Sequence, residues 1–144
     1  MKKLLGILSA LLASLSLNVA AADKPAPKGG KEAPSAKRFR NVDVAEWEKL
    51  RKGPQVVVLD VRTAEEFAEG HMPGAINLDI RGGKFAETLA GLDKSKTYLV
   101  HCAVGGRSAK ACGQMDGLKF EKVVNLSGGI TAWEAAGNKP VKGR

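Results

Sequence analysis

Aromatic side chains are scarce in this chain, with four Phe, two Trp and one Tyr among 144 residues, and no basic stripe is interleaved with them. A stacking surface for nucleic acid is therefore not expected. Histidine is scarcer still, at two residues, and only one of the two cysteines sits in a glycine-rich loop, so no metal-ligand spacing is present. There is no internal repeat. The glycine pairs at 82–83, 105–106 and 128–129 are turn signals without the strand and glycine spacing of a dinucleotide fingerprint. Neither a metal nor a cofactor is expected.

The single long apolar run is at the N-terminus. Lys2 and Lys3 precede an apolar stretch from Leu4 to Leu17, and Ala20, Ala21 and Ala22 supply the small residues that a signal peptidase reads. The stretch ending at Val19 is shorter than the roughly 20 strongly apolar residues that span a bilayer. Residues 1–22 are read as a secretory signal cleaved near Ala22, which predicts a periplasmic or secreted protein with no stable membrane insertion. No cysteine lies near that junction to carry a lipid. Residues 23–38 hold three prolines and no large apolar side chain, the composition of a disordered basic linker. Residues 39–144 suffice for one domain with one modest core, expected to be a monomer.

The formal charge of +8 belongs mostly to the leader and linker. Residues 39–144 carry sixteen basic against thirteen acidic side chains, a weakly basic surface that suits anionic substrates better than nucleic acid.

Within that domain, strand and helix signals alternate. Asn41-Val42 closes a short strand, and Asp43 is placed to cap a helix through Lys52, with Val44, Trp47 and Leu50 on its inner face and Glu46 where a capping box puts an acid. Val56 to Leu59 is a β-branched run typical of a buried parallel strand. A short helix from Thr63 or Ala64 to Glu69 ends at Gly70, followed by a strand at Ala75–Leu78, a helix at Phe85–Leu92 and a strand at Thr97–His101. A helix at Ser108–Met115, a strand at Lys122–Leu126 and a helix at Ile130–Ala135 complete the order. The pattern predicts an α/β domain of three layers: a parallel sheet of about five strands with helices on both faces and its site at the carboxyl ends of the strands.

One such end carries His101-Cys102-Ala103-Val104-Gly105-Gly106-Arg107-Ser108. The glycines let the backbone curl so that the amides of residues 103–108 converge on the Cys102 thiol, with Ser108 expected to cap the following helix. Amides and a helix N-terminus favour a thiolate, the reactive form of cysteine. Cys112 falls on one helical face with Ala109 and Met115, so it reads as a buried inert thiol rather than a disulfide partner.

Three blocks carry a family resemblance. They are Asp60-Val61-Arg62 with Glu66-Phe67 and Gly70-His71-Met72-Pro73-Gly74-Ala75-Ile76-Asn77, then Cys102 to Ser108, then Leu126-Ser127-Gly128-Gly129-Ile130-Thr131-Ala132-Trp133. The chain resembles single-domain rhodanese-like sulfurtransferases. That resemblance implies a rhodanese-like fold in which Cys102 takes a sulfane sulfur, becomes a persulfide and passes the sulfur on. The donor would be thiosulfate or another small anionic donor, or a persulfide or polysulfide. The acceptor would be a thiol, cyanide or a protein thiol.

Four residues stand between Cys102 and Arg107, one fewer than in the loop of cysteine-dependent phosphatases, which disfavours phosphatase or arsenate reductase chemistry. A persulfide-carrying or noncatalytic protein-binding module is the alternative. Ala103, Val104, Gly105, Gly106, Arg107 and Ser108 are the expected substrate-binding residues, with Arg107 holding an oxyanion. Ala103 and Val104 leave Arg107 as the only fixed positive charge at the mouth, which weakens thiosulfate and favours an apolar or protein-bound persulfide. Asp60 and Arg62 are expected to pair with Glu66 and brace the pocket wall, and His71 to tether a turn through a backbone hydrogen bond.

Overall fold

The computed structural model describes residues 39–143, so the expected signal and linker lie outside the described residues. Five parallel strands form one sheet: β1 (Arg40–Val42), β2 (Val56–Asp60), β3 (Ile76–Asn77), β4 (Thr97–His101) and β5 (Lys122–Leu126), in the order β1-β5-β4-β2-β3. The helices between them are α1 (Val44–Leu50), α2 (Ala64–Glu69), α3 (Phe85–Ala90), α4 (Gly106–Gly117) and α5 (Gly129–Ala135).

Side chains on a strand alternate between its two faces, so a run that is apolar throughout feeds two cores. Val58, Leu99 and Val124 pack on one face with Trp47 from α1 and Ile130 and Trp133 from α5. Leu59, Tyr98, Val100 and Val123 pack on the other with Phe85 and Leu89 from α3 and Ala111, Cys112 and Met115 from α4. This is the three-layer α/β arrangement expected from the alternation. Among the described residues no helix is long and apolar enough to cross a membrane.

Element ends differ from the expected ones for local reasons. The helix after Asp43 stops at Leu50, because Lys52 and Gly53 donate to carbonyls only three residues back, closing the last turn tightly before Pro54. Asp43 caps α1 by accepting from the Glu46 amide, but the Glu46 carboxylate pairs with Arg40 and does not reach back. The reciprocal capping box is instead at α2, between Thr63 and Glu66. Helix α4 starts two residues before Ser108, with Gly105 as N-cap in the left-handed region at φ 102°, so Ser108 does not cap it. The parallel register sets His101 beside Asp60, and Asp60 beside Asn77, at the carboxyl edge of the sheet.

Candidate active site

Strand β4 is central, flanked by β5 and β2, and the chain leaves it at Cys102. The thiol is buried, 1% exposed, and its Sγ accepts hydrogen bonds from the Gly105 amide at 3.0 Å and from the Ser108 hydroxyl at 3.4 Å. Burial pushes the thiol up, but the Ser108 hydroxyl and the amides of Ser108, Gly105 and Val104 outweigh it and bring Cys102 below the ordinary cysteine value. Ser108 thus acts inside the helix, as a donor to the sulfur.

The loop is held from behind by the start of α5. Ile130 and Thr131 amides donate to the carbonyls of Cys102 and Ala103 at 2.9 and 3.1 Å, so donors that a helix start leaves free support the loop. That approach requires glycine at 129. A Cβ there would stand 2.4 Å from the Cys102 carbonyl oxygen, and its φ of +57° disfavours a side chain as well. Gly128-Gly129 and the buried Trp133 therefore set the last helix against both loop and sheet.

Arg107 leaves the loop mouth and closes on Glu66. Its Nη1 and Nη2 donate to Glu66 Oε2 and Oε1 at 2.7 Å each. Glu66 Oε2 also accepts from the Thr63 amide at 3.1 Å. Hydrogen bonding to Arg107, against some desolvation, carries the Glu66 carboxyl down to about 2, and the same pairing raises Arg107.

The expected grouping of Asp60 and Arg62 with Glu66 is corrected by the geometry. Asp60 is fully buried and receives the Arg62 amide, Nε and Nη2, the last at 2.7 Å, while Arg62 Nη2 also donates to the Gly70 carbonyl. A carboxylate two residues before an arginine at a strand end satisfies that guanidinium locally, which leaves Glu66 for Arg107. Asn77 locks the same corner by donating to the Asp60 and Arg62 carbonyls.

His101 lies under this corner, fully buried, with Nε2 3.7 Å from Asp60 Oδ2, beyond hydrogen-bond reach. Desolvation wins over the attraction of Asp60 and pulls His101 down to about 4, so the ring is neutral at neutral pH. Its adjacency to Cys102 was visible in the chain; its burial against Asp60 was not.

His71 places Nδ1 2.8 Å from the Phe67 carbonyl and stacks on the Phe67 ring, the turn tether expected. Its backbone also exchanges two 2.9 Å hydrogen bonds with Val141, which draws the C-terminal segment onto the turn after α2. Ala103 is half-buried, and Val104, 68% exposed, stands on the crest of the loop. Cys112 is fully buried and free, and burial pushes its thiol up to about 12. Among the described residues no group of three or more His, Cys, Asp or Glu could hold a metal ion.

The sheet, the cysteine-bearing loop at its centre and the arginine that closes that loop define a class, and comparison with known proteins gives it a name. The rhodanese-like domain family model matches residues 43–136, and the chain belongs to that family. It is 41% identical over 87 residues to the YtwF protein of Bacillus subtilis, covering 60% of this chain and 82% of that one. It is 33% identical over 97 residues to the thiosulfate sulfurtransferase GlpE of Pseudomonas putida, covering 67% and 86%. Among solved structures, a rhodanese-related protein from Thermoplasma volcanium superposes with a TM-score of 0.61 at 32% identity, covering 71% of this chain and 97% of that one. These similarities support a role in sulfur transfer in general.

Proposed function

We propose that the protein is a sulfurtransferase whose Cys102 cycles between thiolate and persulfide. The observation that carries this reading is the Cys102 sulfur held by the Gly105 amide and the Ser108 hydroxyl at a helix start. With thiosulfate as donor, the thiolate attacks the outer sulfur, a new S–S bond forms, and the S–S bond of thiosulfate breaks to release sulfite with the electron pair. An acceptor thiolate or cyanide then attacks the outer sulfur of the persulfide and returns Cys102 as thiolate. Charges balance in both steps, and no general base is needed because every leaving group departs as a stable anion.

The loop amides serve both halves of the cycle, stabilising first the thiolate and then the charge carried on the persulfide. Loading lengthens the side chain by one S–S bond of about 2 Å, which lets a transferable sulfur extend beyond a nearly buried thiol. In this reading residues 103–108 line the substrate, while Asp60, Arg62, Glu66 and His71 keep the surrounding walls in place.

The test is thiosulfate-to-cyanide transfer by the wild type and by Cys102→Ser. Turnover in the first and its loss in a folded second is the expected result; turnover in both overturns the reading. The same proposal places the protein outside the cytoplasm as a monomer, with residues 1–22 removed as a signal and 23–38 left as a linker. N-terminal sequencing of protein from fractionated cells checks this: a mature start near Asp23 in the exported fraction is expected, and an intact Met1 in the cytoplasm contradicts it.

A further inference from the structure

Both oxygens of Glu66 accept from Arg107, at 2.7 Å each, and the carboxylate is anchored from its own side by the Thr63 amide. Bidentate arginine–carboxylate geometry of this kind is among the strongest charge-assisted pairings available to side chains. The two side chains remain 21% and 33% exposed, so the pair faces the solvent from which a donor arrives. Arg107 is also the only charged side chain between residues 102 and 108 apart from the nucleophile itself. The neighbouring arginine offers no substitute, because Arg62 is bound to Asp60 and the Gly70 carbonyl.

The charges of Arg107 and Glu66 therefore cancel at the loop while Cys102 is a thiol, and one negative charge is added there once Cys102 ionises. A sulfonate entering it has to share a guanidinium that already holds a carboxylate, and meets the negative charge of that carboxylate. We propose that Glu66 is a specificity-determining residue, which by neutralising Arg107 selects against dianionic sulfur donors such as thiosulfate and in favour of donors with less charge. The inference rests on the reading of Cys102 as the persulfide-forming nucleophile. Glu66 is held ionised far below neutral pH by Arg107, so the selection operates throughout the physiological range.

Two donors separate charge from chemistry. Thiosulfate is a dianion that releases sulfite; methanethiosulfonate is a monoanion that delivers the same sulfur and releases methanesulfinate. The variant is Glu66→Gln in the full chain, since glutamine can hold the capping-box bond to the Thr63 amide while losing the charge. Removing one negative charge acts in proportion to donor charge. We expect kcat/KM to rise roughly ten-fold for thiosulfate and about three-fold for methanethiosulfonate, with the melting temperature and circular dichroism retained.

Equal changes for both donors, or a loss with both, would mean that Glu66 merely positions Arg107, and would overturn the inference alone. Failure of both donors to load Cys102 in the wild type would overturn the underlying reading as well. Should Glu66→Gln fold poorly, the wild type supplies a second measurement: kcat/KM for thiosulfate against ionic strength. A neutralised Arg107 gives a profile that does not fall with salt, whereas a steep fall shows a free cation attracting the donor and rejects the proposal.

Discussion

Arg107 and Glu66 are 41 residues apart in sequence and meet through two 2.7 Å hydrogen bonds. The pair ties the sulfur-bearing loop to the first turn of α2, so the loop is gripped from two sides: by this ion pair in front and by the first amides of α5 behind.

Removing the rear grip has the larger cost. In Gly129→Ala a methyl group would meet the Cys102 and Ala103 carbonyls at 2.4 and 2.5 Å, in a backbone conformation that alanine resists. Strain of this kind costs roughly 1–3 kcal/mol before any clash is counted. The melting temperature should fall by at least several degrees for a domain of this size. Sulfur transfer should fall by more than ten-fold, as measured by thermal denaturation and turnover on the same preparation.

Ser108→Ala removes a donor from the sulfur while leaving the helix in place. The thiolate titration of Cys102 should move to higher pH, because a hydrogen bond that favours the anion is lost. Loading at neutral pH should slow by roughly 3- to 10-fold, the worth of one such hydrogen bond. Ultraviolet absorbance of the thiolate against pH, compared with the pH profile of the loading rate, checks that both move together.

Cys112→Ala should leave turnover nearly unchanged, because the thiol is buried among Ala111, Met115 and Phe120 and resists ionisation. Peptide mapping without reductant should find no Cys102–Cys112 bridge. A dominant bridge together with slow turnover of the variant would contradict the inert role.

His101 makes stability depend on acid. Its folded-state value of about 4 lies below the ordinary 6.5, so the unfolded chain binds the extra proton first. Its contribution is complete above pH 6.5 and is lost as pH falls from 6.5 toward 4, by a few kcal/mol at about 1.4 kcal/mol per unit. Urea midpoints between pH 7.5 and 4 should fall in the wild type and fall less in His101→Gln. The difference isolates His101 from His71, which both proteins retain.

The layers of the fold were legible because their cause is local. Val56–Leu59 and Tyr98–Val100 are apolar on both faces, and only a strand covered by helices on both sides can bury such a run. The position of Cys102 at a strand end, the glycine turn after it and the buried phase of Cys112 follow from the same short-range pattern. The partner of Arg107 was not legible. Glu66 could be read only against its near neighbours Asp60 and Arg62, and that competition is decided by the fold, which lets Asp60 satisfy Arg62 within two residues. Ser108 was misread for a related reason: serine favours helix caps, but two glycines supplied the turn first and moved it into the helix, onto the sulfur.

The persulfide itself tests the central claim most directly. Full-length protein with Cys102 reduced is incubated with thiosulfate, or with polysulfide, and the Cys102 peptide is weighed before and after addition of cyanide. One added sulfur, about 32 Da, on Cys102 alone is expected, removed by cyanide and restored over repeated cycles. Sulfur that loads but does not cycle would identify a persulfide carrier in place of an enzyme, and a reduced Cys102 that loads from neither donor would contradict sulfur transfer at this site.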